Sequence, residues 1–250
     1  SEALADDLRG AAEAAIENWL ETKAKMAFVP PDALSPEIIL FERAFGDEGG
    51  QDALPFLSVR AFDQSGMVPH QAAVGSPLRL TLPKEVMEAA GALAESESTP
   101  PGLDAVNASS FTPRRVFPLG HFGGGDSQSE PSEPAFGELV ATHGRWPAVI
   151  NVNTAPAPLL EEAFRTAGRG GLEAVLAKRA EGKPATVPPA ENEQRRRSTA
   201  RTTGVNLAAE STVWSFRIDV RAGAVRRSWW CVYELGSKGW RCVQRVVIPD

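Results

Sequence analysis

Leu4, Leu8, Ala12, Ala15, Ile16 and Trp19 recur at helical spacing opposite Asp6, Asp7, Arg9, Glu13, Glu17 and Glu21. This pattern predicts an amphipathic helix from Glu2 to about Lys25, ending before Pro30-Pro31. The run Pro36 to Phe41 reads as a short helix. From Phe56 to Phe62 the period changes to two, with Leu57, Val59 and Ala61 alternating with Ser58 and Arg60, which predicts a strand that leaves through the turn Asp63-Gln64-Ser65-Gly66. Leu78, Leu80 and Leu82 alternate with Arg79 and Thr81 as a further strand, and Pro83 opens a helix carrying Val86, Met87, Ala90 and Leu93. Residues 95–102 and 120–134 read as loops from their Gly, Ser, Glu and Pro content.

The clearest local signal lies further on. Val149, Ile150 and Val152 suit an extended segment, and Asn151, Asn153 and Thr154 then offer side-chain oxygens to the free N–H groups of a helix start. Pro156 and Pro158 fall near the first turn, where a missing N–H costs little. Leu159, Leu160, Ala163 and Phe164 share one face, Gly168 ends the helix, and Leu172, Val175 and Leu176 mark a second helix closed by Gly182. The prediction is helix, glycine turn, helix. Lys183 to Thr212 follows without clear period, as a long excursion. Trp214, Phe216, Ile218 and Val220 then alternate with Ser215, Arg217, Asp219 and Arg221, a strand with one buried and one wet face. Ala222-Gly223-Ala224 turns it into Val225–Leu235, and a hairpin at Gly236-Ser237 leads into Lys238–Val247. The end of the chain is thus an antiparallel three-stranded meander.

With 250 residues, 42% of them hydrophobic, the chain can bury a substantial core as one large domain or two lobes. The formal net charge of −6 argues against a polyanion as main partner. Charge is uneven, since residues 191–250 carry 11 Lys and Arg against 6 Asp and Glu. The basic run Arg195-Arg196-Arg197 reads as a solvated loop. No stretch of 18 apolar residues occurs, and the chain begins at Ser1 without Met, as a processed or truncated product would.

Candidate chemistry is sparse. His70, His121 and His143 stand far apart, and no nucleophile elbow or paired metal-binding histidines accompany them, so no enzyme is predicted. The glycines after His121 lack the strand, helix and Lys-Ser/Thr of a phosphate loop. The acidic loop Gly46 to Asp52 lacks EF-hand spacing; calcium is kept as a candidate there, and a solvated acidic turn is the commoner reading. If Gly236 and Ser237 are the central hairpin residues, Leu235 faces Lys238 and Cys231 falls directly across from Cys242. That register predicts a disulfide, and a shift of one residue would leave two reduced thiols.

Ile150-Asn151-Val152-Asn153-Thr154-Ala155-Pro156 resembles two families. One is the K-type minor pseudopilin of the bacterial type II secretion system, with its Asn-(Val/Leu)-Asn-Thr-Ala-Pro segment before an Ala/Leu-rich helix. The other is the helix-hairpin-helix DNA-binding module of the competence-receptor type, which opens on a closely similar string. In the DNA module the turn is usually Gly-apolar-Gly, whereas here it is Gly168-Arg169-Gly170-Gly171, flanked by Glu161 and Glu162. The order of parts favours the pseudopilin: amphipathic helix, early strand with an Asp-x-x-Gly turn, embedded helical segment, and a closing Trp214-Ser215-Phe216-Arg217-Ile218-Asp219-Val220 strand.

That resemblance implies an α+β, pilin-like fold: an N-terminal helix packed on an antiparallel sheet, with an inserted α-helical domain containing the helix-hairpin-helix-like segment. Residues 1–82 and 205–250 would form the pilin-like lobe and 83–204 the insertion. It implies a structural, non-enzymatic subunit at a pseudopilus tip. Its partners would be I-type and J-type minor pseudopilins and other pseudopilus subunits, and its work the export of folded periplasmic proteins. A periplasmic location follows, anchored in the inner membrane by a segment preceding Ser1, with no nucleic acid expected. Family members can bind calcium, and no matching acidic constellation is evident here. A type IV pilus minor pilin is the neighbouring alternative. For the helix, the pattern predicts that Ala3, Ala11 and Ala14 admit a partner helix beside the stripe that faces the sheet.

Overall fold

The computed structural model describes residues 2–33, 36–44, 55–69, 140–141, 148–189 and 205–248. Helix α1 spans Glu2–Thr22 and continues into a 3-10 turn at Ala24–Met26. Its buried line is Ala5, Ala12, Ile16 and Leu20, with Leu8 and Trp19 packed alongside. Leu4, predicted to belong to that line, is 38% exposed, and Ala15 is exposed as well. The stripe is rotated from the predicted one, because Ala5 and Leu20 bring the seven- and four-residue spacings onto a single line with Ala12 and Ile16.

That line rests on a five-stranded antiparallel sheet in the order β1-β2-β7-β8-β9. The strands are β1 Glu37–Ala44, β2 Phe56–Asp63, β7 Val213–Ala222, β8 Val225–Gly236 and β9 Gly239–Ile248. Leu57, Val59, Ala61, Trp214, Phe216, Ile218 and Val220 meet the helix in one core. Trp19 stands edge-on to Trp214 and to Phe216, with ring centroids 4.9 and 5.9 Å away. Each large side chain fully buried here contributes about 1.5–3 kcal/mol.

Three features depart from the sequence reading. Residues 37–44 form a strand and not a helix. Ile38, Ile39 and Phe41 suit the pleat, and Leu40 is an extra residue between the pairs Ile39–Arg60 and Phe41–Val59, a bulge that breaks the alternation. Arg60 ties this edge by ion pairs to Glu37 at 3.1 Å and Glu42 at 3.5 Å. Second, the far face of β7 is dry, since Ser215, Arg217 and Asp219 are all buried. Arg217 Nε donates to both carboxylate oxygens of Asp219 at 3.0 Å, and Ser228 Oγ donates to Asp219 at 2.5 Å, so the charges are paired within the sheet. Third, the last hairpin turns on Ser237 and Lys238, with Gly236 paired to Gly239. Leu235 therefore faces Trp240, and Cys242 opposes Tyr233 instead of Cys231. The thiols of Cys231 and Cys242 are unbridged.

Beyond the main sheet, short parallel pairs join β3 (Val68–Pro69) to β4 (Val140–Ala141), and β5 (Ala148–Asn151) to β6 (Val205–Ala208). The stretch read as an aperiodic excursion thus contains β6. Helices α2 (Ala157–Thr166) and α3 (Leu172–Ala180) follow β5, with Gly168 and Gly171 at positive φ between them. Ile150, Val152, Ala155, Leu159, Leu160, Ala163, Phe164, Val175, Val205 and Leu207 form a second core, separate from the one beneath α1. The architecture is α+β: an N-terminal helix on an antiparallel sheet, with a helical pair on its own core. The acidic loop 46–52, the strand and helix over 78–93, the loops at 95–102 and 120–134, the three histidines and Arg195 to Arg197 lie outside the described residues.

Candidate functional site

The two sequence marks singled out for different reasons, the Asp63-Gln64-Ser65-Gly66 turn and the Asn151 to Pro156 string, meet at the junction of the two cores. Asp63 ends β2 and is fully buried. Its Oδ1 accepts from the Ser65 amide at 2.8 Å, capping the 3-10 turn Gln64–Gly66. Its Oδ2 accepts from Asn151 Nδ2 at 2.7 Å and from Thr154 Oγ1 at 2.6 Å. Burial pushes the Asp63 carboxyl above its ordinary value, and hydrogen bonds from Ser211, Thr154, Ser65 and Asn151 oppose that push. Gly66 lies so close that a Cβ there would come within 2.7 Å of Thr154 Oγ1 and 2.8 Å of Pro36 Cβ. Only a residue without a side chain fits.

The other motif positions turn inward too. Asn151 Oδ1 accepts from the Asn153 amide at 3.0 Å. Asn153 Nδ2 donates to the carbonyls of Ala185 at 3.0 Å and Ala209 at 2.9 Å, while its Oδ1 accepts from the Ala185 amide at 2.7 Å. One amide side chain so binds the segment after β6 to the segment after α3. The backbone of the motif is committed as well, with Val29 N donating to Asn153 O at 2.9 Å and Val152 N to Ala208 O at 2.8 Å. Ala155 is buried in the second core, and Pro156 stands at the start of α2 with extended backbone. The helix-start oxygens expected of Asn151, Asn153 and Thr154 are used instead on the Asn153 amide, the Ala185 amide and the Asp63 carboxyl, and α2 has no side-chain cap.

Arg179, on α3, completes the junction and was not foreseen. It is 1% exposed, and its guanidinium donates to four main-chain carbonyls: Val29 at 2.8 Å, Ala155 at 2.7 Å, Pro30 at 3.2 Å and Val152 at 3.3 Å. Burial lowers it to about 10. Five donors in a planar fork can join the segment after α1, the motif turn and α3 at one point, which a lysine cannot. In the sequence it looked like one more basic residue in the last turn of a helix, and only the pairing of the turn with residues 29–30 gives it its use.

Chemically the junction is a clasp. Its one carboxyl group is fully buried and bonded to Ser65, Asn151 and Thr154, so it serves to hold the junction together. No cluster of three or more potential metal ligands occurs among the described residues. In the glycine turn between α2 and α3, Arg169 and Gly171 are engaged and Gly168 and Gly170 are exposed. Arg169 Nη1 donates to Pro188 O at 2.5 Å, and a Cβ on Gly171 would meet Pro188 Cγ at 2.8 Å. Ala3, Ala11 and Ala14 are exposed along α1.

No family model and no curated protein matches the chain. Among solved structures it is similar to a chain of the GspK-GspI-GspJ complex of the type 2 secretion system of enterotoxigenic Escherichia coli, at 14% identity and a TM-score of 0.43, covering 98% of this chain and 94% of that one.

Proposed function

We propose that the chain is a non-enzymatic minor pseudopilin of the K type. It would assemble with I-type and J-type partners and other pseudopilus subunits at the tip of a type II secretion pseudopilus, on the periplasmic side of the inner membrane. The observation that carries this reading is the use made of the motif. Asn151, Asn153 and Thr154 spend their side chains on Asp63, Ala185 and Ala209 inside the chain, so the string acts as internal architecture. Residues 1–82 with 205–250 are proposed as the pilin-like lobe and 83–204 as its insertion, with the clasp at their junction. Helix α1 packs one line on the sheet and leaves Ala3, Ala11 and Ala14 to solvent, where a partner helix can approach closely. Calcium at the 46–52 loop is retained as part of the proposal.

The DNA-binding alternative needs backbone amides free to meet a phosphate at the glycine turn, with an apolar residue between the glycines where this chain has Arg169. At that turn Arg169 is bonded to the Pro188 carbonyl and Gly171 packs against the Pro188 ring, while Gly168 and Gly170 stay exposed. Co-purification with I-type and J-type minor pseudopilins tests the assembly. The parent chain should form a ternary complex, and Ala11→Trp or Ala14→Trp should weaken it while melting like the parent. Variants that still co-purify fully with both partners would refute the role of α1. Tight duplex binding with a steep salt slope, lost on replacing Gly168 and Gly170 by bulky residues, would put the DNA reading first.

A further inference from the structure

Cys231 lies in β8 opposite Arg245, and Cys242 lies in β9 opposite Tyr233. Between these pairs β9 carries one extra residue, Val243. Such a bulge tightens the local twist and re-aims its neighbours. Cys242 Sγ leans along its own strand to 3.3 Å from Gln244 O, and Gln244 opposes Val232. Cys231, two positions from Tyr233 along β8, shares that face of the sheet with Cys242, and the Cys242 thiol leans along β9 in the direction of the Cys231–Arg245 pair.

The environments of the two sulfurs differ. Cys231 is buried and Cys242 is exposed. The neighbouring Cys231 thiol, with the Arg245 guanidinium, holds Cys242 down at about 7, while contact with Cys242 and burial push Cys231 up. Around them Arg245 pairs with Glu13 of α1 at 2.9 Å, and Glu13 and Glu17 both act on Tyr233.

We propose that Cys231 and Cys242 form a reversible dithiol–disulfide couple, in which exposed Cys242 exchanges with an external disulfide and buried Cys231 completes the bond. The Cys242 thiolate attacks one sulfur of a small-molecule disulfide, whose S–S bond breaks, and one half leaves as a thiolate that takes up a proton. Cys231 gives up its proton and attacks the Cys242 sulfur of the mixed disulfide, releasing the second half as a thiol. Two protein sulfurs are oxidised and the external disulfide is reduced to two thiols. The bond closes a ring around the last hairpin and pins edge strand β9 to β8 beneath α1. This couple is independent of the assembly role proposed above.

Oxidised glutathione on the folded full chain is the probe, with intact mass as readout. The parent should lose the mass of two hydrogens and keep no glutathionyl group, and dithiothreitol should restore it. Cys231→Ser should retain one glutathionyl group on Cys242, and Cys242→Ser should stay unmodified while folded. Non-reducing peptide mapping of the oxidised parent requires no substitution and should recover residues 231 and 242 in one cross-linked fragment. Labelling of reduced Cys242 by iodoacetamide should rise with a half-maximum near pH 7. A parent that stays unreacted, accumulates a stable glutathione adduct or yields the two cysteines in separate fragments would overturn the proposal.

Discussion

Thr154 Oγ1 donates to Asp63 Oδ2 at 2.6 Å across 91 positions of sequence, and this bond joins the end of a main-sheet strand to the turn that starts the helical pair. Because burial raises the Asp63 carboxyl, the folded chain holds its proton more tightly than the unfolded chain, whose carboxyl titrates at about 3.9. The stability Asp63 contributes is therefore fully present below that unfolded value and is lost as pH rises through the folded one. Asp63→Asn should flatten the pH dependence of stability from about pH 4 upward. Thr154→Val removes a donor that favours the carboxylate, so its loss relative to the parent should be larger at neutral pH than near pH 4. Urea unfolding at several pH values checks both slopes, and parallel profiles for the variants and the parent would refute the assignment.

Arg179→Met leaves four main-chain carbonyls without their charged donor, and each unsatisfied buried group costs about 1–3 kcal/mol. The summed loss should exceed 3 kcal/mol after partial relaxation. Arg179→Lys should recover only part of it, because a point charge cannot span the four acceptors. Equilibrium unfolding of the three proteins distinguishes these ranks.

Two glycines should respond to alanine with opposite signs. Gly66→Ala drives a methyl against Thr154 and Pro36 and should cost about 1–3 kcal/mol. Gly10, exposed in α1 with open space where a methyl would stand, should gain about 0.5–1 kcal/mol as alanine. Thermal melts of the two variants decide the pair.

In the dry face of β7, Arg217→Met strands the Asp219 carboxylate and should cost about 3–5 kcal/mol. Arg217→Met combined with Asp219→Leu should cost clearly less than the single change, since no unpaired charge remains buried. Nη1 and Nη2 of Arg217 have no hydrogen-bond partner among the described residues, so the pair is not an optimum the fold must keep.

Regular periods were readable in the chain wherever one face of an element met one core. Helix α1, strands β2 and β7, and the pair α2 and α3 follow from their spacings. Strand β1 did not, because the bulge at Leu40 hides a period of two inside a continuous apolar run. The hairpin register failed for a different reason, since the turn is centred on Ser237 and Lys238, which sets Cys242 opposite Tyr233, and alternation alone carries no record of that shift. Polar residues on β7 looked wet because burial of Arg217 depends on Asp219 and Ser228, partners that only pairing supplies. The clasp was half legible: the motif and the Asp-x-x-Gly turn were both marked, but their meeting through Asp63, and the place of Arg179 beside them, are tertiary facts.

The central claim is that the Asn151 to Pro156 string is consumed as an internal clasp, and a double-mutant cycle on Asp63→Ala and Thr154→Val tests it most directly. The account predicts that the two changes are coupled by about 1–3 kcal/mol in unfolding free energy, the double variant being less damaged than the sum of the singles. Additivity within about 0.5 kcal/mol would mean that the bond does not join the two cores and would contradict the account.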